Sequence, residues 1–546
     1  MQLQKLWLRA QEPNMIKPVN RILIVGGGSA GWMSAAALIK AYPEKEIIVI
    51  ESPNVPILGV GESTLGGIND YCKFLGIDEQ DFMTYTDASY KMSIKFTDFY
   101  EKDSGGFHYP FGRPFTQGTA NGMNDWLAKK SLYPETPIQD FVDCFFPAAA
   151  LWNENKFSLN KYGMFDSYDP DNDVAYHFDA TKFGAWLRER YCKPRGVKHL
   201  ATTVVDIKVN DAGIERLILE SGEEITADLY VDCTGFKSIL LAGALKEPFT
   251  SYNDMLPNNR AWATRIPYKD KEKELEPFTN SIALGNGWVW NIPSWERLGT
   301  GYVYSDKYIS PEDAKEEFKQ YLMSNKVVCP RTREEVDTLE FKDIQMRVGI
   351  HERTFVKNVV AIGLSAGFIE PLESNGLYTV HEFLFKLLKT LERPAITQWD
   401  RDVYNATCFG MWRNFAQFVA LHYALSIRDD TEYWKANANR VYSPGMPSLL
   451  PETGVGFYKL QSAKMFDYHH DSEIAGINWI SVGMNYFVLD KTTIAVRQNL
   501  HREDFRLGYG NMFNLFEDRK ARWREAAKNC PSLYQYLKTH IHKGQE

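Results

Sequence analysis

Residues 21–52 read RILIVGGGSAGWMSAAALIKAYPEKEIIVIES, and the order of residue types in this stretch decides the fold. The β-branched run Ile22 to Val25 predicts a strand. It runs into glycines at 26, 28 and 31 in G-x-G-x-x-G spacing, with Ser29 and Ala30 inside the turn. An Ala-rich helix follows, then a second strand, Ile47 to Ile50, ending at Glu51. Gly26 makes the tight turn, Gly28 lets the backbone approach a pyrophosphate, and Gly31 lets the helix pack on the strand. The helix N-terminus offers free N–H groups and a positive dipole end to phosphates. Glu51 lies where an acid hydrogen-bonds a ribose hydroxyl. A glycine pattern alone is a weak signal. The full strand–turn–helix–strand–acid unit predicts a dinucleotide site rather than a plain α/β turn.

Working outward, two further segments repeat part of this design. ADLYVDCTGF (227–236) is an apolar strand ending in Thr-Gly, and NVVAIGLSAGFIEPLESNGLY (358–378) is another strand entering a Gly-rich turn at Gly363 and Leu364. A simple NAD domain is contiguous, whereas three separated segments fit a discontinuous FAD domain with other modules inserted. FAD is therefore the expected cofactor. Gly26, Gly28, Ser29, Ala30, Gly31, Glu51, Gly363 and Leu364 are its candidate binding residues.

Bulk properties exclude other classes. The chain of 546 residues is 44% hydrophobic and 24% charged, ordinary for a soluble globular protein. A net charge of −8 gives no blanket attraction to nucleic acid or anionic lipid. No apolar run approaches the roughly 20 residues of a membrane helix, and the N-terminus has no signal-peptide core. Met15 precedes the first convincing strand, so residues 1–14 read as a dispensable extension. The seven cysteines, at 72, 144, 192, 233, 329, 408 and 530, show no C-x-x-C and no histidine clustering. They read as reduced thiols in a cytoplasmic protein without a metal site. Aromatic residues, at 14%, are in excess.

Part of that excess sits in GNGWVWNIPSWERL (285–298), where Trp288, Trp290, Ile292 and Pro293 spell W-x-W-x-I-P. With GGGSAGWMSAAAL, GVGES (59–63), DASYKMSIKF (87–96), DCTGF (232–236) and IGLSAGFIEPLES (362–374), the chain resembles the flavin-dependent halogenases of the tryptophan-halogenase family. The resemblance spans most of residues 20–395. It implies that reduced FAD, dioxygen and a bound halide generate hypohalous acid, which passes through a tunnel to a lysine and halogenates an electron-rich ring such as an indole. The tryptophan motif is then the wall that keeps the substrate away from the flavin.

The resemblance also implies roles. Lys91 matches the catalytic lysine. Alternation over Tyr90 to Phe96 puts Lys91, Ser93 and Lys95 on a polar face, which suits a wet tunnel and bulk solvent alike. Glu373 matches the glutamate that stabilises the cationic ring and helps remove its proton, although a helix-start acid complementing the dipole reads the same way. Ser374 orients or relays, and is also a plausible N-cap. Leu377, Val380, Phe383, Leu384, Leu387 and Leu388 recur at helical spacing, so Asn375 and Gly376 fall at a helix N-terminus, a sound place for the halide.

Three departures stand out. Asparagine replaces the usual threonine at 375. Gly66 replaces a proline in the strap GVGESTLGGI (59–68). In FHYPFG (107–112) Phe111 is kept, but Tyr109 takes the place of the family's histidine and His108 is shifted by one. These three, His108, Tyr109 and Phe111, are the substrate-side candidates. The stretch 447–476 lacks the Phe-Trp pair that closes the pocket in tryptophan halogenases, while 523–541 resembles the family's closing helix. Bromide or iodide is therefore expected over chloride, and free tryptophan is not the expected substrate.

The expected architecture is α/β, α+β overall. A Rossmann-like FAD domain of the aromatic-hydroxylase flavoprotein type takes 15–95, 200–245 and 345–395. An inserted, mainly antiparallel sheet module takes 96–199 and 246–344, and a mostly helical C-terminal region takes 396–546. With one dinucleotide fingerprint already used by FAD, a separate NAD(P)H-dependent flavin reductase is the expected partner. Neither nucleic acid nor membrane is expected to bind, and a homo-oligomer is left open. The rival readings are an aromatic monooxygenase that hydroxylates, and a non-catalytic protein on a flavoprotein-like fold.

Overall fold

The structure, a computed structural model, describes residues 18–55, 62–112, 114–115, 126, 129–160, 165, 168–440, 480, 482–485, 498–499 and 501–544. The three glycine-bearing segments come together in one six-stranded sheet. Its order is Phe355–Val356, Val359–Ala361, Leu229–Asp232, Arg21–Val25, Glu46–Glu51 and Lys198–Ala201, with every pair parallel except the first. The strand from 21 is buried almost throughout, as a strand covered on both faces should be. The register sets Val25 beside Ile50 and Asp232, and Asp232 beside Ala361. The turns that follow these strands therefore open at one edge, where open α/β sheets bind ligands.

Two glycines make that edge possible. Gly26 has φ +114°, and a Cβ on it would lie 2.2 Å from the carbonyl oxygen of Cys233. A Cβ on Gly31 would lie 1.9 Å from the carbonyl oxygen of Gly26, so the helix Ser29–Ala41 crosses its strand in direct backbone contact.

The second large sheet has seven strands, in the order Lys342–Gln345, Arg260–Ile266, Leu298–Tyr304, Gly287–Pro293, Phe278–Ala283, Ser93–Thr97 and Gly106–Pro110. It is antiparallel except where Phe278–Ala283 runs parallel to Ser93–Thr97. Alternation along Gly287–Pro293 sends Trp288, Trp290 and Ile292 into the main core. Val289 goes to a second cluster under the helix Pro311–Met323.

Residues 89–97 differ from the expectation of one strand. Ser89–Lys91 pairs with Ala175–Phe178, which also pairs with Glu62–Ser63, whereas Ser93–Thr97 belongs to the seven-stranded sheet. Met92 is the joint: its N–H donates to Pro277 O at 2.7 Å and its carbonyl accepts from Phe111 N at 3.2 Å. A division at 95 thus falls inside a strand, and alternation does not carry across Met92, so Lys91 and Lys95 have different surroundings. The described part of 396–546 is helical: Gln398–Ala424, Glu432–Ala438, Glu503–Lys528 and Leu533–His540. The closing stretch 523–541 is two helices rather than one, because Pro531 interrupts it and a capping box on Ser532 and Gln535 starts the second. Trp295 leaves the tryptophan wall and stacks on His542 and Tyr534 from this closing segment. Residues 1–14, the strap glycines at 59 and 61, and the stretch 447–476 lie outside the described residues. Among the described residues no helix is long and apolar enough to cross a membrane, and no cluster of three metal-ligating side chains exists.

Candidate active site

At the sheet edge, Gly28 is the N-cap of the helix Ser29–Ala41 and no side chain caps the first N–H groups. A Cβ on Gly28 would meet nothing within 4 Å, so the turn faces open space. The turn Gly363–Ser365, which includes Leu364, lies against this one, since a Cβ on Gly363 would be 2.8 Å from the Ala30 side chain. Ser29 is held at the rim by its hydroxyl, which donates to Ala180 O at 3.1 Å. Glu51 has Arg188 Nη1 at 3.4 Å and His199 Nε2 at 3.0 Å. Uncapped N–H donors beside empty space fit a pyrophosphate, and the cradle therefore suits the dinucleotide.

The second centre surrounds Lys91. Its side chain is fully buried, and Nζ donates to Thr64 O and to Ser374 Oγ, both at 2.8 Å. The Phe111 ring lies 5.1 Å from the amine. Burial pushes the Lys91 pKa well below its ordinary value, with the Glu373 charge opposing. Lys91 is thus on neither a solvent face nor a simple polar one, and the spacing could not distinguish these because its strand ends at Lys91 and the next begins at Ser93.

Ser374 holds a left-handed backbone, φ 57°, between the short turn Pro371–Glu373 and the helix Gly376–Leu391. This uncommon conformation for serine bends the chain so that neighbouring side chains serve different partners. Ser374 Oγ continues to Ser63 Oγ (3.0 Å), which meets Thr279 Oγ1 (2.6 Å), then His177 Nε2 (2.8 Å). All four of these residues are buried. His177 Nδ1 reaches Ser89 Oγ at 3.4 Å, and Ser89 donates to the carbonyl of Pro293 in W-x-W-x-I-P.

Glu373 is completely buried, and burial raises its pKa against the opposing effects of His422 and Lys91. Its Oε1 lies 2.8 Å from His422 Nε2 on the helix Gln398–Ala424. Three residues earlier, Glu370 is also fully buried and accepts from Trp288 Nε1 (3.1 Å), Asn258 Nδ2 (2.8 Å) and Tyr423 OH (2.7 Å). Trp288 and Trp290 meet edge to face at 6.3 Å, so the wall is pinned through Glu370. Glu370, His422, Tyr423 and His177 were not singled out from the sequence. Glu370 had a signal, being the other acid of FIEPLES. His422 had none, because a lone histidine in a long helix has no spacing to read.

Asn375 is the N-cap of the helix Gly376–Leu391 but makes no side-chain cap, and its Oδ1 is buried without a hydrogen-bond partner. The Gly376 end of this helix is therefore uncapped, as an anion site requires. Alternation separates the substrate-side candidates. Tyr109 faces Phe418 (ring centroids 6.1 Å) and feels the Glu373 charge. His108 points to the other face of the strand: its Nδ1 is 2.8 Å from Ser93 Oγ, and its ring stacks on Trp152 at 5.1 Å. His108 is a packed core histidine, and burial holds its pKa well below normal.

A parallel sheet with a glycine turn at its ligand edge, joined to an antiparallel sheet carrying a tryptophan wall, defines a Rossmann-like flavoprotein. Residues 21–466 match the sequence model of the family described as tryptophan halogenase. The chain is 33% identical to the tryptophan 6-halogenase SttH of Streptomyces toxytricini over 477 residues, covering 83% of this chain and 86% of that one. Its fold is similar to the solved structure of VirX1 in the apo form, with TM-score 0.86 and 36% identity, covering 96% and 99% of the two chains. It also resembles BrvH, a flavin-dependent halogenase from Brevundimonas sp. BAL3, with TM-score 0.79 and 27% identity over 96% and 99%. The chain belongs to the tryptophan halogenase family, whose members are flavin-dependent enzymes.

Proposed function

We propose that this enzyme halogenates electron-rich aromatics such as indoles, with Lys91 delivering the halogen and Glu373 removing the ring proton. The observation that carries this reading is the buried Lys91 amine held by Ser374, the residue that adjoins Glu373. Bound reduced FAD, with dioxygen and halide, supplies hypohalous acid. Gly26, Gly28, Ser29, Ala30, Gly31, Glu51, Gly363 and Leu364 hold the cofactor, and Asn375 and Gly376 hold the halide at the helix end. Trp288, Trp290, Ile292 and Pro293 keep the arene from the flavin. A dry site favours the neutral amine of Lys91, which either hydrogen-bonds the oxidant or takes its halogen. Glu373 faces the positive charge that develops on the ring, and a carboxylate in low dielectric stabilises it strongly. Tyr109 and Phe111 flank the arene.

Asn375 leaves an imperfect halide site, so the less strongly hydrated bromide or iodide is used before chloride. Free indoles are preferred to tryptophan. Reduced FAD comes from a separate NAD(P)H-dependent reductase, because one dinucleotide cradle serves FAD, and all seven cysteines being free thiols fits work in the cytoplasm. Lys91→Ala tests the core of the proposal: halogenated product should vanish while oxidation of reduced flavin by dioxygen continues at the wild-type rate. Product at near wild-type rate would remove Lys91 from the mechanism.

A further inference from the structure

The Glu373–His422 contact fixes a proton count. His422 Nδ1 lies 3.2 Å from Phe418 O and 3.1 Å from Val419 O, and main-chain carbonyls only accept hydrogen bonds. Nδ1 therefore carries a proton. The other ring nitrogen, Nε2, is 2.8 Å from Glu373 Oε1, with both side chains fully buried. Two bare acceptors repel at that distance in a buried site, so one of them carries a proton even though the contact is not aligned as a hydrogen bond. One proton thus belongs to the pair, on Oε1 or on Nε2, and either placement leaves the pair neutral overall. Three aromatic rings flank the imidazole: Phe96 (ring centroid 4.7 Å), Phe418 (5.7 Å) and Phe99 (6.4 Å). The charged and titratable neighbours are Lys91 and Tyr109 beside Glu373, and Glu370 beside His422.

We infer that His422 is the positioning residue and proton store that lets Glu373 act as a base while buried. This rests on the reading that Glu373 takes the ring proton. After halogen transfer, the C–H bond at the substituted carbon breaks, its electron pair restores the aromatic ring, and the proton bonds to Glu373 Oε2. The proton that the pair already carries then lies on His422, which becomes the imidazolium, and the pair gains one positive charge in total. Return of that proton to solvent resets the site. A lone buried carboxyl would hold its own proton and be a poor base, whereas the histidine takes that proton up. The same contact fixes the carboxylate's direction, since Nδ1 anchors the imidazole to the helix backbone.

The test is turnover of ordinary and ring-deuterated indole, measured separately at saturation, in wild type, His422→Phe, His422→Gln and Glu373→Gln. In wild type the rate ratio should be near unity. In both His422 variants turnover should fall on the order of tenfold, and the ratio should rise to about 2 or more as proton removal becomes limiting. A packing role alone would change turnover without an isotope effect. A second readout needs no folded His422 variant: the ¹⁵N resonance of His422 Nε2 should shift strongly in Glu373→Gln, with Nδ1 remaining protonated. The inference is overturned if the ratio stays near unity in the His422 variants while rising in Glu373→Gln, or if Nε2 is unmoved. Should Glu373→Gln itself leave rate and ratio unchanged, the base assignment to Glu373 fails, and the inference with it.

Discussion

At the nucleotide end of the molecule, the parts that matter are nearly consecutive. Strand, glycine turn, helix and acid fall within residues 21–51; Gly26 and Gly31 each meet a local steric demand, and Gly28 borders open space. At the lysine end, the parts are scattered along the chain. Lys91 and Ser374 are 283 positions apart, and His422 comes from yet another helix. A backbone cradle can be written in spacing because its donors are main-chain N–H groups. A site made of side chains is written only in the tertiary fold, so it is legible solely where a short motif marks each piece.

The sharpest way to break the comparison is Lys91→Arg. A guanidinium stays charged under all conditions and is bulky. Product formation should fall on the order of 10³-fold or more, while FAD binding is unchanged. Retained activity would mean that a cation alone suffices and that the buried amine has no special role. Glu373→Gln should follow, slowing product formation by on the order of 10²-fold in single-turnover assays with preformed reduced flavin. An unchanged rate would return Glu373 to complementing the helix end.

At the other end, two glycines should separate fold from function. Gly28→Val places its side chain in open space, so the melting temperature without FAD should be unchanged while FAD affinity drops by about tenfold, one lost phosphate contact. Gly31→Val strikes the backbone of Gly26 and should lower the melting temperature itself. Equal behaviour of the two in calorimetry and FAD titration would show that the cradle is not where the geometry puts it. The smallest effect is selectivity. In competition with equal chloride and bromide, and with indole and tryptophan together, bromoindole should exceed chlorotryptophan a few-fold; predominant chlorotryptophan would contradict both preferences.

The sequence was informative in proportion to how local each feature is. The parallel strands at 21–25, 229–232 and 359–361 were legible because apolar runs end in glycine turns, and 46–51 because its apolar run ends in the acid Glu51. The break at Met92 was not legible, since Tyr90 to Phe96 alternates as cleanly as a single strand would. It is set by long-range contacts to Pro277 and Phe111. His108 and Tyr109 were both substrate-side candidates in the sequence, and alternation in the sheet separates them, one toward Trp152 and one toward Glu373. His422 could not be read at all, because its meaning lies in the 2.8 Å to Glu373 and the two carbonyls behind it.

The central claim is that the two ends divide the chemistry, with flavin at the glycine edge and halogen transfer at Lys91 behind the tryptophan wall. Mass spectrometry of products from an indole and phenol panel, given FAD, a flavin reductase, NADH and dioxygen, with each halide and with none, tests it most directly. The account predicts singly halogenated arenes when halide is present and no oxygenated arene when it is absent. Hydroxylated product in the halide-free reaction would contradict it, because the flavin would then be reaching the ring without Lys91.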